Sequence, residues 1–303
     1  MPAQDIDPAV LETNWLDVAG YVSTTRKDTY AFIDPTKADL TGKSVFITGA
    51  SKGIGKATAI SFATAGCSKI LLAARSDLAN VEAAVKDAAK KANRPQPLVH
   101  ALKVDVTSED SVRTAAETAA GLLNGTLDVL VSNAGYLEEW KPIAESNPSQ
   151  WWRTWEVNIK GTFLAAHYFL PMLLKSQTKT ILNVSSGGAH VMFPGASGYQ
   201  TSKFALCRLT EFMDKEYRQQ GLVAIVLHPG GVKTELAFNM PSDKHSVLTD
   251  TAELAADTLV WLSNERRDWL SGRFMTVNWD MGELEQKKQD IVERNLFKFR
   301  VLT

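Results

Sequence analysis

Residues 44–55 decide the fold, and they read Ser44-Val45-Phe46-Ile47-Thr48-Gly49-Ala50-Ser51-Lys52-Gly53-Ile54-Gly55. The apolar run at 44–47 predicts a short buried strand, and the alanine-rich run at 56–65 predicts a helix. The glycines between them permit a tight turn, and the free N–H groups that open the helix attract a pyrophosphate. Ordinary strand-to-helix turns share this spacing, so the nucleotide-site prediction depends on the rest of the chain.

Strands and helices alternate along the remaining sequence. This order predicts an α/β fold, a doubly wound Rossmann fold with a seven-stranded, mainly parallel sheet and helices on both faces. Ligands of such folds bind at the carboxyl edge of the strands. Apolar runs predict strands at 44–48, 69–73, 98–104, 127–132, 180–184, 222–227 and 274–277. Helical patterns lie at 53–65, 77–93, 108–123, 148–175, 198–220 and 250–264.

Tyr199 and Lys203 lie four residues apart in the predicted helix 198–220, which places both side chains on one helical face. The ordinary pKa of tyrosine is about 10, and a nearby ammonium favours the phenolate. We therefore expect Lys203 to lower the pKa of Tyr199, so that the phenol exchanges protons near neutral pH. By itself the pair occurs by chance on many helices, and upstream motifs have to support it.

Several motifs together resemble the short-chain dehydrogenase/reductase family, over residues 40–277. Two segments depart from the family pattern: Ser132 stands where Asn is more frequent, and Asn278-Trp279-Asp280 stands where Asp-Gly-Gly is frequent. These departures bear on packing and pocket shape. The matching motifs are the glycine turn, Asn133-Ala134-Gly135, Asn158, Ser186 thirteen residues before Tyr199, Lys203, and Pro229-Gly230-Gly231-Val232-Lys233-Thr234.

The resemblance implies hydride transfer between a nicotinamide and a carbonyl or alcohol. Tyr199 would donate the proton in reduction and accept it in oxidation, while Lys203 would bind the nicotinamide ribose. Ser186 would donate a hydrogen bond to the substrate oxygen, and Asn158 would hold a water that connects Lys203 to solvent. Ser185 is the alternative serine. Its other interpretation is structural, as a hydroxyl at the end of a strand that bonds to the backbone.

Charge at the end of the second strand favours NADP(H) over NAD(H). An acid there would bind the ribose 2′-hydroxyl of NAD, whereas this chain has Arg75, a partner for the extra phosphate of NADP. Lys52 is a second cation for the same region, and Asp105 with Val106 would contact the adenine. The other implied cofactor-binding residues are Gly49, Ser51, Gly53, Ile54, Gly55, Asn133, Ala134, Gly135, Pro229, Gly230, Val232 and Thr234.

Composition excludes several classes of protein. The formal net charge of −1 and the absence of a basic run disfavour nucleic-acid binding. No apolar run is long enough to span a membrane, and the first 20 residues lack a signal-peptide pattern, so we expect a cytoplasmic location. Cys67 and Cys207, placed within predicted helices, lack metal-like spacing and are expected to be buried thiols, and no metal site is predicted.

The 303 residues predict one catalytic domain, at 40–280, with two extensions. The N-terminal extension, 1–39, carries apolar clusters at 14–16 and 30–33 that are expected to pack on the body or on a partner. The C-terminal extension, 281–303, is expected to dock through one amphipathic helix at 282–299. The residues expected to give the crevice an apolar wall are Tyr136, Trp140, Val191, Met192, Phe193, Phe238 and Met240.

These observations favour an NADP-dependent oxidoreductase that acts on a lipophilic ketone or alcohol. A nucleotide-binding sensor or scaffold without turnover is the alternative, motivated by the N-terminal extension. A dehydratase or epimerase belongs mainly to relatives with another glycine spacing. His190 and His228 receive no role. By the family resemblance, the helices at 148–175 and 198–220 predict a homodimer or homotetramer.

Overall fold

The computed structural model describes residue 18 and residues 20–300, and its centre is one seven-stranded sheet. The strand order is β3-β2-β1-β4-β5-β6-β7, and every neighbouring pair is parallel. The prediction of a doubly wound Rossmann fold is confirmed. The strands are β1 Ser44–Thr48, β2 Lys69–Ala74, β3 Leu98–Lys103, β4 Val129–Ser132, β5 Thr180–Val184, β6 Val223–His228 and β7 Arg273–Thr276.

Helices cover both faces of the sheet, because the central strands are apolar on both sides. One apolar cluster joins the sheet to α1, α2 and α7, and a second joins it to α3, α5 and α6. The helices are α1 Gly53–Thr64, α2 Ala79–Lys91, α3 Glu109–Leu122, α4 Pro148–Trp155, α5 Gly161–Leu173, α6 Ser197–Tyr217, α7 Ala252–Asn264, α8 Met281–Gln286 and α9 Lys288–Glu293.

The order of the strands reverses between β1 and β4, and this reversal opens the crevice. The glycine turn follows β1, the segment that begins at Asn133 follows β4, and Ser186 follows β5. Tyr199 lies in the first turn of α6. The topology therefore brings the predicted site residues to one edge of the sheet.

Two helix predictions are corrected by the structure. The predicted helix at 148–175 is divided into α4 and α5 by a π-helical turn at Glu156–Lys160. The single helix predicted at 282–299 is wrong, because α8 and α9 are separate short helices and the last ends at Glu293. Asn295 and Phe297 have φ values of 51° and 61°, which a right-handed helix does not allow.

The segment before β1 packs against the end of the chain. Thr25 forms an antiparallel bridge with Trp279, and the Tyr30 hydroxyl accepts a hydrogen bond of 2.6 Å from the Met281 amide. Ile33 is buried, whereas Phe32 is 47% exposed. The predicted cluster at 14–16 lies outside the described residues, and the division into domain and extensions stays a prediction.

Both cysteines are buried free thiols. The helical placement is confirmed for Cys207, in α6, and is wrong for Cys67, which lies in the loop after α1. Among the helices of residue 18 and residues 20–300, none is both long and apolar enough to cross a membrane.

Candidate active site

Ser186 and Tyr199 meet at the carboxyl end of β5. Ser186 caps a short 3₁₀ turn, where its Oγ accepts a hydrogen bond of 3.0 Å from the Gly188 amide. The Tyr199 phenol is hydrogen-bonded to the Ser186 side chain. His228, at the end of β6, accepts a hydrogen bond of 2.9 Å at Nδ1 from the Gly187 amide, which fixes the same turn. Two hydroxyl groups therefore face one point of the crevice.

Lys203 lies on the same face of α6 as Tyr199, as the four-residue spacing predicts. Its side chain is buried, Nζ lies 5.6 Å from the centroid of the Tyr199 ring, and Nζ donates a hydrogen bond of 2.8 Å to the Val184 carbonyl oxygen. Burial lowers the pKa of Lys203 to about 8. The backbone of β5 therefore holds the Lys203 ammonium beside the Tyr199 ring.

The expected acidification of Tyr199 is not present in the chain by itself. Burial raises the pKa of Tyr199 to about 12, the hydrogen bond from Ser186 opposes this shift, and the charge of Glu138 adds to it. Desolvation of the buried phenol, which the spacing of Tyr199 and Lys203 does not reveal, is the largest effect on its pKa. Without a bound cofactor, the protonated phenol is the stable form at neutral pH.

Asn158 occupies the π-helical turn and is almost completely buried. Its Nδ2 donates to the Tyr136 carbonyl oxygen at 3.0 Å and to Ser202 Oγ at 2.9 Å. Its Oδ1 accepts from the Tyr136 amide at 2.9 Å. These bonds connect the segment after β4 with α6, and the water predicted beside Asn158 stays a prediction.

Ser185 is directed away from the crevice. Its Oγ donates a hydrogen bond of 3.0 Å to the Lys203 carbonyl oxygen, and the side chain is buried. This geometry agrees with the strand-end role, in which the hydroxyl bonds to the backbone. Of the two serines, Ser186 is the one that contacts Tyr199.

The turn after β1 accepts only glycine at its closest approaches. Gly49 has φ +67°, and a Cβ there would lie 2.9 Å from the Ala134 Cα. A Cβ on Gly55 would lie 2.3 Å from the Gly49 carbonyl oxygen. Asn133 fixes this contact because its Nδ2 donates to the carbonyl oxygens of Thr48 and Gly49, at 3.0 and 3.1 Å.

The first turn of α1 fits a pyrophosphate. Lys52 precedes this helix and its side chain does not cap it, and the opening amides of a helix have no partner within the helix. Gly53 has φ +54°, and a Cβ there would lie 3.0 Å from Thr234 Cγ2 on the opposite side of the crevice. The glycines keep this cradle open for an anion.

A basic residue and an acidic residue, Arg75 and Asp105, lie near each other where β2 and β3 end. Arg75 is exposed directly after β2. Asp105 Oδ1 accepts hydrogen bonds from the amide and the hydroxyl of Thr107, at 2.9 and 2.8 Å. Burial opposes ionisation, but these bonds and the charges of Arg153 and Arg75 lower the pKa of Asp105. Asp105 is therefore a carboxylate near a guanidinium. Val106, the residue after Asp105, packs beside Thr48, Ala134 and Gly161.

Asp250 holds the loop that follows β6, which carries the predicted residues Gly230, Val232 and Thr234. Gly230 has φ +84°, and the Gly231 amide donates a hydrogen bond of 2.7 Å to Asp250 Oδ2. Val232 is buried and pairs with Asp250 in a parallel bridge, and Thr234 Oγ1 accepts from the Ala237 amide at 3.1 Å. Asp250 was not found from the sequence, because no motif includes it.

Comparison with known proteins identifies the family. Residues 43–245 match the family model for short chain dehydrogenases. The chain belongs to this family. Short chain dehydrogenase mpl6 of Monascus purpureus is 49% identical over 93% of this chain and 96% of its own length. A short chain dehydrogenase structure from Salmonella enterica serovar Typhi covers 82% of this chain and 99% of its own, with 26% identity and a TM-score of 0.71. A 7α-hydroxysteroid dehydrogenase, complexed with NADH and 7-oxo glycochenodeoxycholic acid, covers 82% and 97%, with 25% identity and a TM-score of 0.69.

Short-chain dehydrogenases bind a nicotinamide dinucleotide and act on small molecules, and this chain is an oxidoreductase of that family.

The predicted second cation, Lys52, forms an exposed ion pair with Glu235 across the crevice. Its charge is therefore shared with a carboxylate, and Arg75 remains the cation at the end of β2.

Exposed apolar side chains lie at the mouth of the crevice in this short-chain dehydrogenase. Met192, Phe193 and Phe238 are 63%, 42% and 52% exposed. The Trp140 and Phe193 rings stack with their centroids 6.0 Å apart, and Lys244 Nζ lies 5.5 Å from the Phe193 centroid. Exposed apolar side chains on two loops provide contact area for an apolar ligand.

Proposed function

We propose that the protein is an NADP(H)-dependent carbonyl reductase or secondary-alcohol dehydrogenase that acts on a lipophilic ketone or alcohol. The observation that supports this function is the joint placement of the Tyr199 phenol, the Ser186 hydroxyl and the buried Lys203 ammonium at the carboxyl edge of the sheet. The glycine turn beside them fits a dinucleotide. The apolar mouth supports a lipophilic substrate.

The side chains divide the chemistry between them. When bound, the nicotinamide supplies or accepts the hydride. Ser186 donates a hydrogen bond to the substrate oxygen, where negative charge develops during reduction. Tyr199 transfers its proton to that oxygen and takes it back in oxidation. Lys203 binds the nicotinamide ribose and supplies positive charge near the phenol, which opposes the effect of burial on Tyr199.

The test is a screen of ketones and alcohols with NADPH and NADH, followed by Tyr199→Phe. We expect this variant to lose turnover by about 10²- to 10⁴-fold and to bind NADPH as the wild type does. Tyr217→Phe, in the last turn of the same helix, is the matched control and keeps turnover. Wild-type turnover in Tyr199→Phe would exclude the mechanism. NADPH binding without turnover of any substrate by the wild type would favour the sensor or scaffold.

Arg75 supports the preference for NADP(H) over NAD(H). The 7α-hydroxysteroid dehydrogenase of similar fold binds NADH, so the fold alone does not separate the two cofactors. Arg75→Ala removes a charge-assisted hydrogen bond to the 2′-phosphate and should weaken NADPH binding by about 10- to 100-fold. NADH affinity is the internal control. An equal loss for both cofactors would contradict this role of Arg75.

We also propose a homodimer or homotetramer through α5 and α6. Phe163, Phe204 and Phe212 are 49%, 46% and 54% exposed on these helices, and exposed aromatic side chains are a feature of protein–protein interfaces. Light scattering after size exclusion should give at least twice the chain mass of 33.2 kDa. A single species at the chain mass would contradict the oligomer. The cytoplasmic location stays a prediction.

A further inference from the structure

Glu138 is a buried carboxylate that the motifs do not include. It lies in the segment after β4 and is 2% exposed. Its Oε1 accepts a hydrogen bond of 2.8 Å from the Tyr199 amide, and its Oε2 accepts one of 2.6 Å from Thr154 Oγ1. One side chain therefore connects the segment after β4 with α4 and with the first turn of α6.

Glu138 acts as the N-terminal cap of the helix that carries Tyr199 and Lys203. Ala196 precedes this helix and has no side chain that caps it. The opening amides of an α-helix have no partner within the helix, and the Tyr199 amide is one of them. A carboxylate is favoured at this position because the N-terminal end of the helix is positive. The cap is supplied from 61 residues earlier in the chain.

Gly198 and Trp151 pack closely around the carboxylate of Glu138. A Cβ on Gly198 would lie 2.8 Å from Glu138 Oε1 and 3.0 Å from Trp151 Cδ1. Trp151 Nε1 donates a hydrogen bond of 3.1 Å to Ser197 Oγ in the same turn. Gly198 therefore lets the carboxylate reach the backbone, and no larger residue fits without moving it.

We propose that Glu138 is a positioning residue for the acid–base chemistry. Its carboxylate fixes the first turn of α6, so that the Tyr199 hydroxyl meets Ser186, and it places a negative charge near the phenol. This inference rests on the proposed function. Glu138 does not contact the reacting atoms and acts through Tyr199.

Glu138 is the charged group that raises the pKa of the phenol, and three further titratable groups lie on neighbouring segments. Glu138 approaches from the segment after β4, and Lys203 lies on α6 itself. His190 and His228 lie beside the loop after β5, and both are neutral because burial lowers their pKa values to about 4 and about 3. Burial first, and then Glu138, raise the pKa of Tyr199. The Glu138 charge thus retains the proton that Tyr199 donates in reduction.

The experiment compares Glu138→Gln with the wild type in the oxidation direction, where Tyr199 acts as the base. Removing the charge should lower the pKa of the phenol, so the rise of kcat with pH should move down by about half a unit or more. NADPH affinity should change by less than about twofold, since Glu138 lies outside the cofactor contacts. Glu139→Gln is the matched control, because Glu139 is 67% exposed and pairs with Lys141. This control should keep the wild-type profile.

A second readout does not require turnover. Labelling with ¹⁵N-tyrosine marks six residues, and the signal lost in Tyr199→Phe identifies the Tyr199 amide. Its hydrogen exchange should become at least about tenfold faster in Glu138→Ala. Gly198→Ala, which displaces the carboxylate, should lower kcat by about tenfold or more.

The two proposals fail in different ways. Absence of turnover by the wild type, together with loss of amide protection in Glu138→Ala, would reject the proposed function and retain the cap. Normal turnover with an unchanged pH profile in Glu138→Gln and unchanged amide exchange in Glu138→Ala would overturn the role of Glu138.

Discussion

Lys203 carries a charge at a cost in stability. Burial lowers its pKa from 10.5 to about 8, which corresponds to roughly 3 kcal/mol against the charged form. The hydrogen bond to Val184 offsets about 1 to 2 kcal/mol of this cost. The residue is retained although it destabilises the fold, as expected where the ammonium has a function.

We therefore predict that Lys203→Met is more stable than the wild type by about 1 to 2 kcal/mol at pH 7 and has no turnover. The folded pKa is lowered, so the unfolded chain binds more protons between pH 8 and 10.5, and the wild type gains stability there. The difference in unfolding free energy between Lys203→Met and the wild type should therefore narrow above pH 8. Urea denaturation measures it, with Lys215→Met on the exposed face of α6 as the control. A variant less stable than the wild type at pH 7 would contradict the charge penalty.

His228 should make stability depend on pH in the acidic range. Burial lowers its pKa to about 3, while the unfolded value is 6.5, so protonation favours the unfolded chain below that value. His228→Asn keeps an acceptor for the Gly187 amide and removes the titrating group. Between pH 7 and pH 5 the wild type should lose about 1 to 2 kcal/mol relative to this variant. The unfolding free energies of the wild type and His228→Asn should differ by a constant amount between pH 7 and pH 8. If that difference stayed constant down to pH 5, His228 would not be neutral and buried in the folded protein.

At the scale of elements, α5 begins where its backbone lies against the side chain of Val106. A Cβ on Gly161 would lie 2.8 Å from Val106 Cγ2, whereas a Cβ on Gly121 in α3 would meet nothing within 4 Å. Gly161→Ala should lower the unfolding free energy by about 1 to 3 kcal/mol because Val106 has to move, and with the proposed contact of Val106 to the adenine it should also weaken NADPH binding. Gly121→Ala should stabilise by about 0.5 to 1 kcal/mol. Thermal unfolding and cofactor titration distinguish these results, and equal effects at both sites would disprove the contact with Val106.

Periodicity predicted the elements well where packing is regular. All seven strands lie at the predicted places, because buried parallel strands are continuous apolar runs. The π-helical turn around Asn158 was not predicted, since it depends on bonds to Tyr136 and Ser202, which are distant in sequence. The break between α8 and α9 was missed because the apolar spacing continues through it.

At the scale of the whole molecule, the sequence predicted the residues that belong to motifs and missed their supports. Ser186, Tyr199 and Lys203 were found through their spacing. Glu138 and Asp250 were missed because a single carboxylate in a polar segment has no pattern, and only tertiary packing shows that it is buried or paired. The pKa direction of Tyr199 was wrong for the same reason, since desolvation cannot be read from neighbours in sequence.

Contacts run from the N-terminal segment to the loop after β6 through Asn278, one of the departures from the family pattern. Its Nδ2 donates to the Arg26 carbonyl oxygen and to Asp250 Oδ2, both at 2.9 Å, and its carbonyl oxygen accepts from the Arg26 amide at 2.7 Å. Asp250 in turn holds the Gly231 amide. The segment that begins before β1 therefore supports a loop of the crevice.

Asn278→Asp should break this connection, because a carboxylate would replace the donor that faces Asp250 and a carbonyl oxygen. We expect a loss of about 2 to 4 kcal/mol in unfolding free energy at pH 7 and weaker NADPH binding. Part of the loss should be recovered at pH 5, since two adjacent carboxylates raise the pKa of one of them and protonation restores a donor. Asn278→Ala loses the same hydrogen bonds without the repulsion, so its loss should be about 1 to 2 kcal/mol at both pH values. Equal losses of unfolding free energy for the two variants at pH 7 would show that Asp250 does not face position 278. The N-terminal segment would then contact the end of the chain through the bridge to Trp279 and would not support the loop after β6.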